Sequence, residues 1–113
     1  MPIPDHSELI KKTAEIGSDN SVANFVTLFD DERTRVTQWV IAPGEQTGWH
    51  LHDYDYVTNQ QSTGTLHLKY ADGSEKTINY VPGTVQMNRA PIEHNATNIG
   101  DVDIRVLEIE YKR

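Results

Sequence analysis

The chain has 113 residues, a formal net charge of -7, five histidines and no cysteine. Its length fits one domain, since globular domains commonly run to about 100–150 residues, and disulfide or thiolate chemistry is closed to it. The acidic balance excludes the phosphate-neutralising surface that nucleic-acid binding needs, and no apolar run reaches the ~20 residues of a membrane-spanning helix.

In chain order, the start Met1-Pro2-Ile3-Pro4-Asp5 carries neither a basic nor an apolar leader segment, so a cytoplasmic protein is expected. Residues 5–16 predict the one helix. Asp5 or Ser7 can cap it, Leu9, Ala14 and Ile16 give it a weak apolar stripe, and Gly17 stops it. Residues 1–20 are therefore expected to form an N-terminal helix or arm, and residues 21–113 a β domain.

From there the pattern changes to short strands. Residues 22–29 predict a strand that ends in the turn Asp30-Asp31-Glu32. Residues 33–42 predict the next, closed by Pro43-Gly44. Residues 54–58 are aromatic and β-branched. Residues 65–70 alternate, with Leu66, Leu68 and Tyr70 on one face and Thr65, His67 and Lys69 on the other. Ala71-Asp72-Gly73-Ser74 is a hairpin signal, because Asp-Gly tolerates positive φ. Residues 75–81 return from it. Strands over 84–88, 92–98 and 102–111 follow, the last with Leu107, Ile109 and Tyr111 alternating along one face and Glu108 and Glu110 expected on a solvated or inter-subunit face. Short strands with a turn every eight to twelve residues predict an all-β sandwich or barrel.

His50 and His52 form an H-x-H pair. On a strand, positions i and i+2 share a face about 6.5–7 Å apart, so two imidazoles can converge on one cation. His94 can join them if another strand returns it to the pair. His6 is expected to be a solvated terminal residue, and His67 to lie on the polar face of its strand. Trp39 and Trp49 are expected to pack, Trp49 behind the histidines, and Glu93 and Arg89 to be exposed.

The flanks of these histidines carry a resemblance. Gly44-x5-His50-x-His52-x11-Gly64 resembles the first cupin motif, and Gly83-x10-His94-x3-Asn98 the second. The run Thr47-Gly48-Trp49-His50-x-His52-x-Tyr54-Asp55-Tyr56-Val57 is similar to a group of small single-domain bacterial cupins that includes beta-alanine degradation proteins. The resemblance implies a double-stranded β-helix, or jelly-roll barrel. It also implies a metal centre whose motif-matched ligands are His50, His52 and His94.

The fourth cupin ligand, a Glu seven residues before the closing glycine, is replaced here by Val57. Tyr54 and Tyr56 share parity with the histidine pair and could supply an oxygen, if the strand runs on without a bulge. Three imidazoles suit Fe, Zn, Ni, Cu or Mn without choosing among them and leave coordination positions open. The expected function is a divalent-metal cupin acting on a small organic ligand, by oxygenation, isomerisation or a lyase step. A non-enzymatic metal- or ligand-binding module stays open beside it. A homodimer is expected, because open barrels have edge strands to cover. Ligating imidazoles must be unprotonated, so metal affinity is expected to fall as pH drops through about 6.5.

Overall fold

The structure, a computed structural model, describes residues 22–112. The helix expected over 5–16, the arm over 1–20 and His6 lie outside the described residues. The described residues form nine strands: β1 (Asn24–Asp30), β2 (Thr34–Ile41), β3 (His50–His52), β4 (Asp55–Gln60), β5 (Gly64–Tyr70), β6 (Glu75–Tyr80), β7 (Val85–Asn88), β8 (Ile92–Asn98) and β9 (Ile104–Tyr111).

These strands make two antiparallel sheets, one in the order β1-β2-β9-β4-β7 and the other β3-β8-β5-β6. From β2 onward the chain keeps crossing between the sheets, and only the β5–β6 hairpin stays within one. That crossing winds two strand-helices together, which is the jelly-roll expected. Turn chemistry sets the crossings. Gly83 turns the chain at φ +91° between β6 and β7. At Gly64 a Cβ would lie 2.6 Å from Ile104 Cγ1, so the opening of β5 packs against β9 only as glycine.

The core fills the space between the sheets. Ile41, Ile104 and Val106 come from one sheet, and Leu66, Leu68, Tyr80 and Ala96 from the other. Removing a large apolar side chain from water is worth about 1.5–3 kcal/mol, so this cluster secures the sandwich. Asn98 is also fully buried. Its amide donates to the Ile41 and Val102 carbonyls at 2.8 and 2.7 Å, and its Oδ1 accepts from Gly100 N–H at 2.9 Å. The residue that closes the second motif therefore ties a turn to β2.

The face expected for the last strand is corrected. The inward row of β9 is Ile104, Val106, Glu108 and Glu110, whereas Tyr111 is exposed. Glu110 is only 5% exposed. Pairing fixes this parity: β9 matches β2 residue for residue from Thr34↔Tyr111 to Ile41↔Ile104, and buried Ile41 faces the same interior as Ile104.

Candidate metal centre

Strand pairing brings the three histidines together. β3 and β8 are antiparallel neighbours with His50 directly opposite His94, and His52 follows on the same face of β3. The ligating atoms of His50, His52 and His94 all lie within 4.8 Å of one another. His50 Nε2 is 3.0 Å from His52 Nε2 and 3.2 Å from His94 Nε2.

A loop holds His50 in a defined tautomer. His50 Nδ1 is 2.8 Å from the Gly48 carbonyl oxygen, which can only accept, so Nδ1 carries the proton and Nε2 presents a lone pair. Gly48 adopts φ +82°, a conformation natural to glycine. Its N–H donates to Asn95 Oδ1 at 3.0 Å, and Asn95 Nδ2 donates to Gln46 Oε1 at 2.6 Å. Thr47 N–H adds a bond to the Ala96 carbonyl at 2.8 Å. Buried Asn95 thus fixes the loop that fixes His50.

The cluster is built for neutral imidazoles. Burial lowers the pKa of His50, and burial together with the neighbouring imidazoles takes His52 down to about 4 and His94 to about 3. Proton competition for this set therefore starts well below the 6.5 of a free imidazole. His94 Nδ1 is buried without a hydrogen-bond partner. The lone pair on His50 Nε2 has two other ring nitrogens crowded around it. Nitrogens bound at about 2.1 Å to one ion sit about 3 Å apart for a right-angled pair, which matches the observed separations. The donor set fits a divalent ion, and these three residues could hold one.

Other side chains frame the histidines. Trp39 stacks on His50 with ring centroids 5.9 Å apart, and Tyr56 stacks on His52 at 4.1 Å. Burial pushes the Tyr56 phenol well above its usual value, so it stays protonated. Arg35 binds Glu110 through two parallel bonds of 2.8 and 3.0 Å. Trp39 Nε1 donates to Glu108 Oε1 at 3.1 Å. Burial pushes Glu108 up to about 7 against that bond.

Two spaces meet at the cluster. An outer cleft of about 210 Å³ opens beside His50 and His52 and contains Arg35 and Glu110. An inner cavity of about 50 Å³ runs into the barrel past His50 and His94, between Tyr56, Leu68 and Val106. Trp39, His50 and Glu108 border both.

The chain matches no family model. The beta-alanine degradation protein BauB of Pseudomonas aeruginosa PAO1 is 35% identical over 83 residues, which cover 74% of this chain and 86% of the relative. A crystal structure of a cupin domain from Bordetella pertussis Tohama I is 36% identical and superposes with a TM-score of 0.76, covering 81% of this chain and 95% of the other. The chain belongs to the cupin family. An RmlC-like cupin from Methanocaldococcus jannaschii, described as a double-stranded β-helix, shares the fold at 15% identity and a TM-score of 0.67, with 82% and 83% of the two chains covered.

Within this cupin the remaining expectations divide. His67 lies on the outer face of its sheet and bonds Thr77 Oγ1 at 3.1 Å and Glu75 Oε1 at 2.7 Å, away from the cluster. Trp49 does not pack behind the histidines but is 55% exposed. Exposed Arg89 pairs with Asp55 at 3.1 Å, and Glu93 is exposed. The parity carried from His52 to Tyr54 breaks at a bend, where the chain leaves one sheet for the other. Tyr56 faces the histidines, and Tyr54 borders neither space.

The same alternation explains Val57. Tyr56, Thr58 and Gln60 line the inner cavity, so Val57 points to the other face, where it pairs with Met87 and Ile109. Carboxylates enter instead from β9, where Glu110 stands opposite Tyr56 and Glu108 opposite Thr58. Sequence reasoning missed Glu108, Glu110, Arg35 and the position of Trp39. The signal was the row Ile104-x-Val106-x-Glu108-x-Glu110, in which two apolar residues fix the parity of the acids.

Proposed function

We propose that this cupin holds one divalent transition-metal ion on His50, His52 and His94 and uses it to bind and activate a small organic substrate. The convergence of three Nε2 atoms, with His50 locked by Gly48, carries the reading. An ion bound there supplies Lewis-acid polarisation of a substrate oxygen. The chain's own groups do the rest. Gly48 and Asn95 orient His50, while Trp39 and Tyr56 stack on the faces of the His50 and His52 rings. Arg35 and Glu110 place a matched ion pair at the outer cleft. The connection of the Pseudomonas relative with beta-alanine degradation supports a small, polar organic substrate.

The test is metal analysis by mass spectrometry on the purified and on the reconstituted protein. The wild type is expected to retain about one equivalent, and His50→Ala, His52→Ala and His94→Ala to lose it. A wild type with less than about a tenth of an equivalent after reconstitution would overturn the reading.

A further inference from the structure

Glu108 and Glu110 stand two residues apart in the inward row of β9, yet they are held differently. Glu110 gives both oxygens to Arg35. Glu108 receives a single neutral donor, the Trp39 indole, and forms no ion pair among the described residues. Among the described residues it is also the one carboxylate that borders the inner cavity, whose lining there includes no Lys or Arg.

We propose that Glu108 accepts and returns a proton at an uncharged carbonyl compound, or the uncharged carbonyl end of a larger one, seated in the inner cavity. The inference rests on the metal reading above, because the carbonyl oxygen needs the histidine-held ion. A C–H beside a carbonyl yields its proton when the developing enolate oxygen is stabilised and a base stands by the carbon. The C–H bond breaks, its electron pair passes into the enolate, and the proton goes to a Glu108 carboxylate oxygen. Return of a proton from Glu108 to carbon completes the exchange or an isomerisation, so no oxidant or reductant is consumed.

The cavity selects for this chemistry. At about 50 Å³ it admits only a few non-hydrogen atoms, given the ~10–15 Å³ that one water molecule needs. Thr58, Gln60, Gln86 and Asn88 offer uncharged hydrogen-bonding groups along its wall. Among the described residues the lining offers no Lys or Arg to offset the like-charge penalty of a carboxylate beside Glu108. The groups facing Glu108 are Trp39 and Arg35 on β2, Tyr56 on β4, Tyr80 on β6 and Glu110 on its own strand. Burial raises both phenols, so neither competes as the base. Arg35 is engaged by Glu110. Glu108, by contrast, holds its proton loosely near neutral pH, as a proton carrier must.

The probe is hydroxyacetone, a small uncharged hydroxyketone, followed by NMR in D₂O with the full chain loaded with zinc. The wild type is expected to exchange the C–H protons faster than free zinc in the same buffer. Glu108→Gln is expected to slow exchange by about 100-fold or more with zinc content unchanged. A second readout is independent of turnover. In metal-free Trp49→Phe protein, Trp39 is the sole indole, and hydroxyacetone is expected to change its emission saturably. Glu108→Gln keeps an oxygen for the Trp39 bond, and an unaltered near-UV circular dichroism spectrum checks that its core is intact.

Wild-type exchange by Glu108→Gln overturns the role of Glu108. A zinc-loaded wild type that exchanges nothing, or a Trp39 emission that ignores the probe, overturns the occupant. Failure to take up zinc overturns the metal reading instead, and the Trp39 response then decides whether the cavity receives the compound.

Discussion

The outer cleft and the inner cavity share Trp39, His50 and Glu108 but manage charge in different ways. In the cleft a carboxylate is matched by a guanidinium, Glu110 by Arg35, with the geometry of a bidentate pair. In the cavity a carboxyl group is left with one indole N–H, and the other polar groups lining the space are uncharged. The first arrangement fixes charge in place, and the second leaves a proton free to move. Two glutamates on one strand, separated by a single residue, thus acquire opposite tasks from their neighbours alone.

Several substitutions would break or sharpen this contrast. The largest effect belongs to His50, the one histidine of the cluster that lines both spaces. His50→Ala should cost more than the about 100-fold in metal affinity that an outer partner is worth, measured by competition with a chelator. A variant within tenfold of the wild type would detach the metal from both spaces.

Asn95→Ala acts one step further out. It frees Gly48 N–H and loosens the carbonyl that holds His50, so affinity should fall about 10–100-fold. The same titration checks it, with urea unfolding to confirm that the loss is not global. Unchanged affinity would show that Gly48 holds His50 without help.

Glu110→Gln and Glu108→Gln compare the two acids directly. The first leaves Arg35 without its ion pair. It should lower the unfolding free energy by about 1–3 kcal/mol, less than for a fully buried pair because Arg35 is part-exposed. The second should not destabilise at pH 8. The reverse ranking in urea would undo the assignment of tasks.

The smallest effects are in the pH profile of the metal-free protein. The folded-state pKa of Glu108 is raised to about 7 from 4.5, so its favourable contribution is present below pH 4.5 and is lost as pH rises through 7. Glu108→Gln should therefore gain on the order of 1 kcal/mol over the wild type at pH 8 and nothing at pH 4. His52 and His94 act in the opposite sense. Lowered to about 4 and about 3, they leave stability intact above 6.5 and erode it as pH falls toward those values. Metal affinity should accordingly persist from pH 8 to about 5 and fall below that. A fall centred on 6.5 would mean that the imidazoles are solvated.

The sequence made one half of this site plain and concealed the other. H-x-H on a strand, the turn glycines and the return of His94 are local patterns with fixed periods, so His50, His52 and His94 stood out. The hairpin at 71–74 and the strand succession were legible for the same reason. The acids were not. Leu107 and Ile109 made the opposite face of β9 look like the buried one, and glutamates seldom lie inside without a partner. The partner of Glu110 is 75 residues away on β2, a distance that only sheet pairing closes. Tyr54 and Tyr56 were inseparable by parity, because the step between sheets before β4 leaves no mark in residue type.

X-ray absorption fine structure on the metal-loaded wild type tests the account most directly. Three imidazole nitrogens at about 2.0–2.1 Å are predicted, with the multiple scattering typical of histidine rings. A first shell with fewer than two imidazoles, or one made of oxygens alone, would contradict the three-histidine centre.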